Sequence, residues 1–155
     1  MPGLSSVIDV DLGCSHSCAL VGEGTVSCWS ANDLGQIGDG SSSTRTSPAR
    51  VVGISDALML SVSSFAACVL RSAGPVMCWG NNTYGQLGDG TLTQRSTPVA
   101  VMGATGVDRI AAGGSHTCLR WLDGRVACFG RGDLGQTGTG ATENTSRLTV
   151  PVMGL

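Results

Sequence analysis

The strongest constraint on this sequence is a block of 13 residues that recurs at a step of 50 residues. The three copies occupy residues 28–40, 78–90 and 128–140, and each contains the motif Gly-Gln-x-Gly. A cysteine lies ten residues before each block, at Cys18, Cys68 and Cys118. Self-similarity at a period of about 50 residues is the signature of a repeat architecture. The chain is therefore predicted to be a repeat protein.

The same step runs through the whole chain and predicts its organisation. Equivalent glycines stand at Gly3, Gly53, Gly103 and Gly154, the last of them one place late. We therefore expect a single repeat domain over 1–155, with repeats at about 3–52, 53–102 and 103–155 and no linker.

Composition excludes several classes of partner. The 155 residues carry a net charge of −2 and only 13% charged residues, with no cluster of Lys or Arg. Binding to nucleic acid needs clustered cations, so no nucleic-acid partner is expected. No apolar run reaches 18 residues, so no membrane span is expected. The first residues show no signal peptide, although a processed chain would look the same.

Each repeat predicts an inner strand followed by a hairpin. In the first repeat the inner strand is expected at residues 7–10, and the hairpin pairs residues 18–21 with 25–29. Gly24 is the third residue of the hairpin loop, where the backbone needs a left-handed conformation. Gly74 and Gly124 stand at the same place. Short strands with Gly-rich returns are typical of an all-β propeller blade.

A last strand is predicted at the end of each repeat. It is expected at residues 49–52 and 99–102, opened by Pro48 and Pro98, since Pro is tolerated at the first residue of a strand. In the third repeat Pro151 falls inside the equivalent residues 150–153, so that strand is expected to be short or at an edge.

The hairpin register predicts three disulfides. Counting outward from the loop places two cysteines opposite each other on a non-hydrogen-bonded rung, where the Cα atoms approach most closely. The predicted pairs are Cys18–Cys28, Cys68–Cys78 and Cys118–Cys128. The alternative is that each pair stays reduced and packs as small apolar residues. Disulfides would indicate an extracellular or periplasmic protein. Cys14 is the seventh cysteine, and we expect a free thiol or a bond to another chain.

These residues resemble the repeat of the regulator of chromosome condensation family. The likeness is carried by Ser-His-Thr-Cys at residues 115–118, by residues 123–128, by the block at residues 78–90 and by residues 95–98. Such a resemblance implies propeller blades, usually about seven in a ring. Three blades form an incomplete ring unless the chain oligomerises or belongs to a longer one. The paired cysteines are a further likeness to a bacterial, secreted branch.

No catalytic residue, cofactor site or metal site is predicted. His16 and His116 each precede a cysteine by two residues, but two histidines in separate repeats give no four-ligand cluster. A histidine bonded to neighbouring backbone is the preferred interpretation. Trp121 stands where the other repeats have Val21 and Arg71, so it is a candidate contact residue. The alternative role for Trp121 is to fill the terminal blade.

The function predicted from these features is a non-enzymatic scaffold for protein–protein interaction. Its expected partners are further copies of itself, which would complete a ring or a filament, and an unknown protein. One alternative is a lectin-like propeller that binds ligands. Another is guanine-nucleotide exchange or enzyme inhibition, as the resemblance to the family implies.

Overall fold

The computed structural model describes residues 4–148, which form eleven β-strands and no helix. Blade 1 contains β1 (Val7–Leu12), β2 (His16–Val21), β3 (Val26–Ser30) and β4 (Arg45–Arg50). Blade 2 contains β5 (Ala57–Val62), β6 (Ala66–Arg71), β7 (Met77–Gly80) and β8 (Arg95–Ala100). Blade 3 contains β9 (Val107–Ala112), β10 (His116–Trp121) and β11 (Val126–Gly130).

Each blade is one antiparallel sheet whose strands follow sequence order. The sheets run β1-β2-β3-β4, β5-β6-β7-β8 and β9-β10-β11. The expected all-β fold of three propeller blades is thus confirmed. The repeat boundaries at 3–52, 53–102 and 103–155 stay a proposal.

The predicted hairpin is confirmed in register and in turn geometry. Cys18 pairs with Cys28, and the same rung joins Cys68 to Cys78 and Cys118 to Cys128. The loop glycines take the left-handed conformation, with φ of 78° at Gly24, 89° at Gly74 and 88° at Gly124. Glycine is favoured there because a Cβ atom would strain this backbone conformation.

The prediction for the last strand was wrong in position. β4 and β8 begin at Arg45 and Arg95, before the predicted starts at residues 49 and 99. Their first rungs are Ser30 to Arg45 and Gly80 to Arg95. Pro48 and Pro98 therefore lie inside strands, which is tolerated because β4 and β8 are the outer edges of their sheets.

Among the described residues, blade 3 shows the first rung of such an outer strand. A bridge joins Gly130 to Thr145, at the place of the Ser30–Arg45 rung in blade 1. The strand predicted at residues 150–153 lies outside the described residues.

The hydrophobic core lies between blades rather than within them. One cluster packs Leu20, Val26 and Ile37 of blade 1 against Leu60 and Trp79 of blade 2. A second cluster packs blade 2 against blade 3, with members that include Leu70, Val76, Leu87, Ile110, Leu119 and Phe129. Each blade is therefore stabilised by its neighbours, as in other repeat proteins.

Candidate interaction interface

The junction between consecutive blades is built around an aromatic residue and a glycine. Trp79 of blade 2 is fully buried against Gly38 of blade 1, where an added Cβ would lie 2.7 Å from the indole nitrogen. The indole nitrogen donates to the carbonyl oxygen of Gln36 at 3.0 Å. The Gly-Gln-x-Gly motif thus forms a recess that accepts the aromatic ring of the next blade.

The junction between blades 2 and 3 repeats this arrangement with different side chains. Phe129 packs on Gly88, where an added Cβ would lie 2.9 Å from the ring. Phe129 has no donor, and the hydroxyl of Thr117 instead donates to the carbonyl oxygen of Gln86 at 3.2 Å. Both junctions therefore supply one donor to the glutamine carbonyl.

The outer edge of each following blade, β8 in blade 2 and Ser146 in blade 3, covers the first glycine of the motif. An added Cβ at Gly35 would lie 2.7 Å from Cα of Ser96. At Gly85 it would lie 2.5 Å from Cα of Ser146. Main-chain bonds fix the contact, since Gly40 donates to the carbonyl of Ser96 and Gly90 to that of Ser146, each at 2.9 Å.

The inner strands are joined by one side-chain acceptor at each junction. A carboxylate oxygen of Asp11 accepts from the main-chain nitrogen of Val62 at 2.7 Å. At the next junction the hydroxyl of Ser61 accepts from the nitrogen of Ala112 at 2.9 Å. Asp11 and Ser61 hold equivalent positions, and the third repeat has Ala111 there.

The first open surface is the exposed side of blade 1. Val10 is 53% exposed, whereas its equivalents Leu60 and Ile110 are each 4% exposed. Leu12 is 64% exposed, against 6% for its equivalent Val62. Val7 is likewise exposed and Trp29 half-buried, although the residues at their positions in blades 2 and 3 are buried. We call Val7, Val10, Leu12 and Trp29 the head face.

The second open surface is the motif of blade 3 at residues 135–138, which we call the tail segment. No heavy atom of the described neighbours lies within 4 Å of an ideal Cβ at Gly135, in contrast to Gly35 and Gly85. Gln136 is half-buried, whereas Gln36 and Gln86 are buried. The adjoining Leu134 is 80% exposed. The tail segment has the form of a junction recess that nothing in residues 4–148 fills.

Each of the first two motifs is held in shape by a buried asparagine. The Asn32 side-chain amide donates to the carbonyl oxygens of Ser41 and Ser43 at 3.1 Å, and its oxygen accepts from the nitrogen of Ile37 at 3.0 Å. Asn82 makes the same bonds in blade 2, to Thr91, Thr93 and Leu87. Sequence reasoning missed this network, although both asparagines fall at one phase of the repeat.

An aspartate at the end of the motif anchors the outer strand. Asp39 pairs with Arg45 at 2.6 Å and Asp89 with Arg95 at 2.8 Å. Burial alone would raise the pKa of Asp39, but hydrogen bonds from Ser41 and Arg45 outweigh it and lower the pKa. These carboxylates are therefore occupied by structural partners.

Blade 3 has lost this anchoring. The equivalents of Asn32, Asp39 and Arg45 are Gly132, Thr139 and Thr145. The side chain of Asn144 accepts from the nitrogen of Gly132 at 3.0 Å, which partly replaces the missing network. An added Cβ at Gly132 would lie 2.0 Å from the carbonyl oxygen of Glu143, so only glycine fits there.

The structure forms the three predicted disulfides. Cα atoms are 4.1 Å apart in each of the pairs Cys18–Cys28, Cys68–Cys78 and Cys118–Cys128. This matches the close approach of a non-hydrogen-bonded rung, about 4.5 Å.

Cys14 is free and exposed. It lines a shallow cleft of about 380 Å³ with its counterparts Ser64 and Gly114, where the inner strands end.

The two histidines occupy equivalent positions with different burial. His16 is 2% exposed, and neither ring nitrogen has a partner among the described residues, so the expected bond to backbone was wrong for this residue. Burial lowers the pKa of His16 to about 4, against a smaller opposing effect of Asp11. Burial also lowers the pKa of the half-buried His116.

Trp121 is a packing residue of blade 3. It is 8% exposed, and its indole nitrogen donates to the carbonyl oxygen of Thr105 at 2.8 Å. The guanidinium of Arg125 lies 5.0 Å from the ring centre. Its burial favours the alternative role, in which Trp121 fills the terminal blade, over contact with a partner.

Metal-binding clusters and membrane-spanning helices are both absent from the part of the chain that the structure describes. Residues 4–148 contain no group of three or more His, Cys, Asp or Glu side chains that could hold a metal ion. They also contain no helix with the length and apolarity needed to cross a membrane.

Solved structures with the same fold include human WBSCR16, which is 25% identical with a TM-score of 0.84, over 97% of this chain and 39% of that one. Prp20p from Saccharomyces cerevisiae is 19% identical with a TM-score of 0.84, over 96% of this chain and 39% of that one. That structure is described together with the binding of Prp20p to Gsp1p and histones. The ectodomain of the Physcomitrella patens receptor kinase CR4 is 25% identical with a TM-score of 0.56, over 90% of this chain and 35% of that one. The chain thus spans about two fifths of the length of the first relatives.

Comparison of the sequence with family models identifies the repeat. No curated protein matches the chain significantly. Two models, both described as the regulator of chromosome condensation (RCC1) repeat, match parts of all three repeats. One covers residues 73–120, and the other covers residues 7–36 and 107–136. Together with the three disulfide-bonded blades and their shared junction geometry, these matches show that the chain belongs to the regulator of chromosome condensation (RCC1) repeat family.

Proposed function

We propose that this chain is a non-enzymatic protein-interaction module that binds propeller blades of its own kind at its two open ends. The observation that carries the proposal is the exposure of Val10 and Leu12, whose equivalents in blade 2, Leu60 and Val62, are buried at the junction with blade 1. Side chains at these positions are apolar in every repeat, as a packed junction requires.

The energetics favour covering this surface. Burying a Val or Leu side chain contributes about 1.5–3 kcal/mol relative to leaving it in water. The head face carries three such side chains side by side, together with the half-buried Trp29. A contiguous apolar patch of this kind is typical of a protein-binding surface.

End-to-end binding would produce a ring or a filament. Two chains give six blades, within the range of about four to eight that closes a propeller. The same contact gives a helical filament if the rotation per chain does not close. An unknown protein partner would then bind the loops at the rim of the assembly, and the lectin-like alternative would use the same rim.

The cysteines favour an extracellular or periplasmic compartment. The three disulfides are compatible with an oxidising environment, such as the extracellular space or the periplasm. Exchange activity on a cytosolic GTPase would place these bonds in a reducing compartment, which argues against that alternative.

The test is the mass of the oxidised chain in solution. Sedimentation equilibrium or light scattering at micromolar concentration should give a multiple of the 15.6 kDa chain mass. Circular dichroism on the same sample verifies the folded β-structure. A folded species at the mass of one chain across this range would contradict the proposal.

A further inference from the structure

We propose that the contact between copies is head-to-tail: the head face of one copy packs on the tail segment of another, with the indole nitrogen of Trp29 donating to the carbonyl oxygen of Gln136. This inference rests on the proposed function and adds the polarity of the contact and the residues that complete each end. The partner it names is a second copy of this chain.

The internal junctions define what each end must meet. In the first junction Trp79 fills the recess at Gly38 and donates to Gln36. The head face carries Trp29 at the position of Trp79, and the tail segment carries Gly138 and Gln136 at the positions of Gly38 and Gln36. The two ends therefore hold the two halves of one further junction.

The outer strand supplies a second match. Gly135 has open space where Gly35 and Gly85 meet the outer strand of the next blade. Within residues 4–148, β4 is the outer strand that covers no motif glycine, since β8 covers Gly35 and Ser146 covers Gly85. In a head-to-tail contact β4 of the second copy covers Gly135, with Thr46 at the position of Ser96.

The hydrogen-bonding groups of the inner strands are also compatible with a head-to-tail contact. The nitrogens of Val62 and Ala112 take their acceptor from the preceding blade, at Asp11 and Ser61. Blade 3 offers only Ala111 to a following blade. The equivalent nitrogen at the head, that of Leu12, donates to its own Asp11 at 2.8 Å. At this position of the inner strand blade 3 offers no side-chain acceptor, and the nitrogen of Leu12 needs none.

Two head faces or two tail segments would fit poorly against each other. Every junction in the chain joins a ring to a glycine recess, so complementarity arises between unlike surfaces. A head-to-head contact would set Trp29 against another head face, which has no glycine recess, and would leave Gly135 uncovered. A two-fold contact between identical surfaces is therefore disfavoured.

The experiment uses one variant that blocks each end. Leu12→Asp places a carboxylate on the head face at a residue already 64% exposed. Gly135→Asn fills the open space at the tail, where φ is 80°. Asparagine is among the residues that best tolerate this conformation. Each variant alone should associate at least 100-fold more weakly than the wild-type chain.

Matched controls separate blocking from a general effect of substitution. Ile8→Asp adds the same charge to β1 at 64% exposure, but its equivalent Leu58 in blade 2 is also 62% exposed, so this position is not covered at a junction. Gly53→Asn changes a glycine with φ of 72° and no neighbour within 4 Å, away from both ends. Both controls should associate like the wild-type chain.

Mixing the two blocked variants tests polarity directly. The mixture retains one intact tail and one intact head, so it should form a 1:1 dimer of about twice 15.6 kDa and nothing larger. If the mixture stays monomeric while the wild-type chain assembles, the head-to-tail inference is wrong and the proposed function stands. If the wild-type chain is itself monomeric, both fail. Should Gly135→Asn unfold, Leu134→Arg blocks the same end at a residue that is 80% exposed.

Discussion

The indole nitrogen of Trp79 and the carbonyl oxygen of Gln36 lie 3.0 Å apart across the first blade junction, 43 residues apart in sequence. This one bond ties the recess of a blade to the ring that fills it. Trp29 has the same place in blade 1 but is only half-buried. Trp79 and Trp29 therefore allow the same residue type to be compared in a filled junction and in an open one.

Trp79→Ala should destabilise the chain by about 3–5 kcal/mol, because it removes a fully buried ring and leaves a cavity. Trp29→Ala should cost much less when unfolding is measured at a concentration too low for assembly. Urea denaturation of both variants checks this. Equal losses of stability would show that Trp29 is already packed within its own chain.

Ser30→Gly should stabilise the chain by about 1 kcal/mol, since it relieves the strain of a side chain in the left-handed region. Ser30 has φ of 93°, and its equivalents Gly80 and Gly130 both have φ of 106°. The reverse change, Gly80→Ser, should be destabilising because its Cβ would lie 2.5 Å from the carbonyl oxygen of Phe65. Thermal unfolding of the two variants should shift the melting temperature in opposite directions.

Alkylation without reductant should add a single label to the native chain, at Cys14. The other six cysteines are paired within their hairpins. Intact mass spectrometry after denaturation reads the number of labels, and Cys14→Ser should reduce it to zero. Seven labels on the wild-type chain would contradict the disulfides. Each bond closes a loop of about ten residues, so its loss should cost at most about 3 kcal/mol.

Stability should fall as the pH is lowered from about 6.5 to about 4, through the titration of His16. Its folded pKa of about 4 lies below the ordinary value of 6.5, so in this window the unfolded chain binds a proton that the folded chain does not. The contribution of the neutral His16 ring to the free energy of unfolding is therefore fully present above pH 6.5. It is lost on acidification, by up to about 3 kcal/mol. His16→Ala copies blade 2, which has Ala66 at this position.

Urea unfolding at pH 7 and pH 4.5 provides the measurement. The difference in unfolding free energy between the two pH values should shrink in His16→Ala. His116→Ala serves as the comparison. Burial also lowers the pKa of His116, but this side chain is more exposed than that of His16. An unchanged pH dependence in His16→Ala would exclude His16 as its source.

Local rules predicted the hairpins well. The position of Gly24 sets the loop, the loop sets the register, and the register brings Cys18 to Cys28. All of this information lies within about a dozen consecutive residues. The outer strand was misplaced because its start depends on a longer connection: the side chain of Asp39 binds Arg45 across the loop and holds it on the first rung.

The open ends were only partly predictable. The apolar character of residues 7–10 was evident in the sequence, but which of them a neighbouring blade would cover was not. In blade 2 the equivalent of Ile8 is exposed, whereas the equivalent of Val10 is buried. This difference depends on the twist and bulge of the inner strand. The sequence left the role of Trp121 open for a related reason, because its partner Thr105 lies in the connection between blades.

Each disulfide joins residues only ten apart within one hairpin, so among residues 4–148 the main chain alone connects one blade covalently to the next. Under tension applied to its two ends, the chain should therefore lengthen in discrete steps, one for each blade that detaches. The disulfide keeps about ten of the roughly 50 residues of a blade from extending. At about 3.5 Å per residue, each step should release about 140 Å.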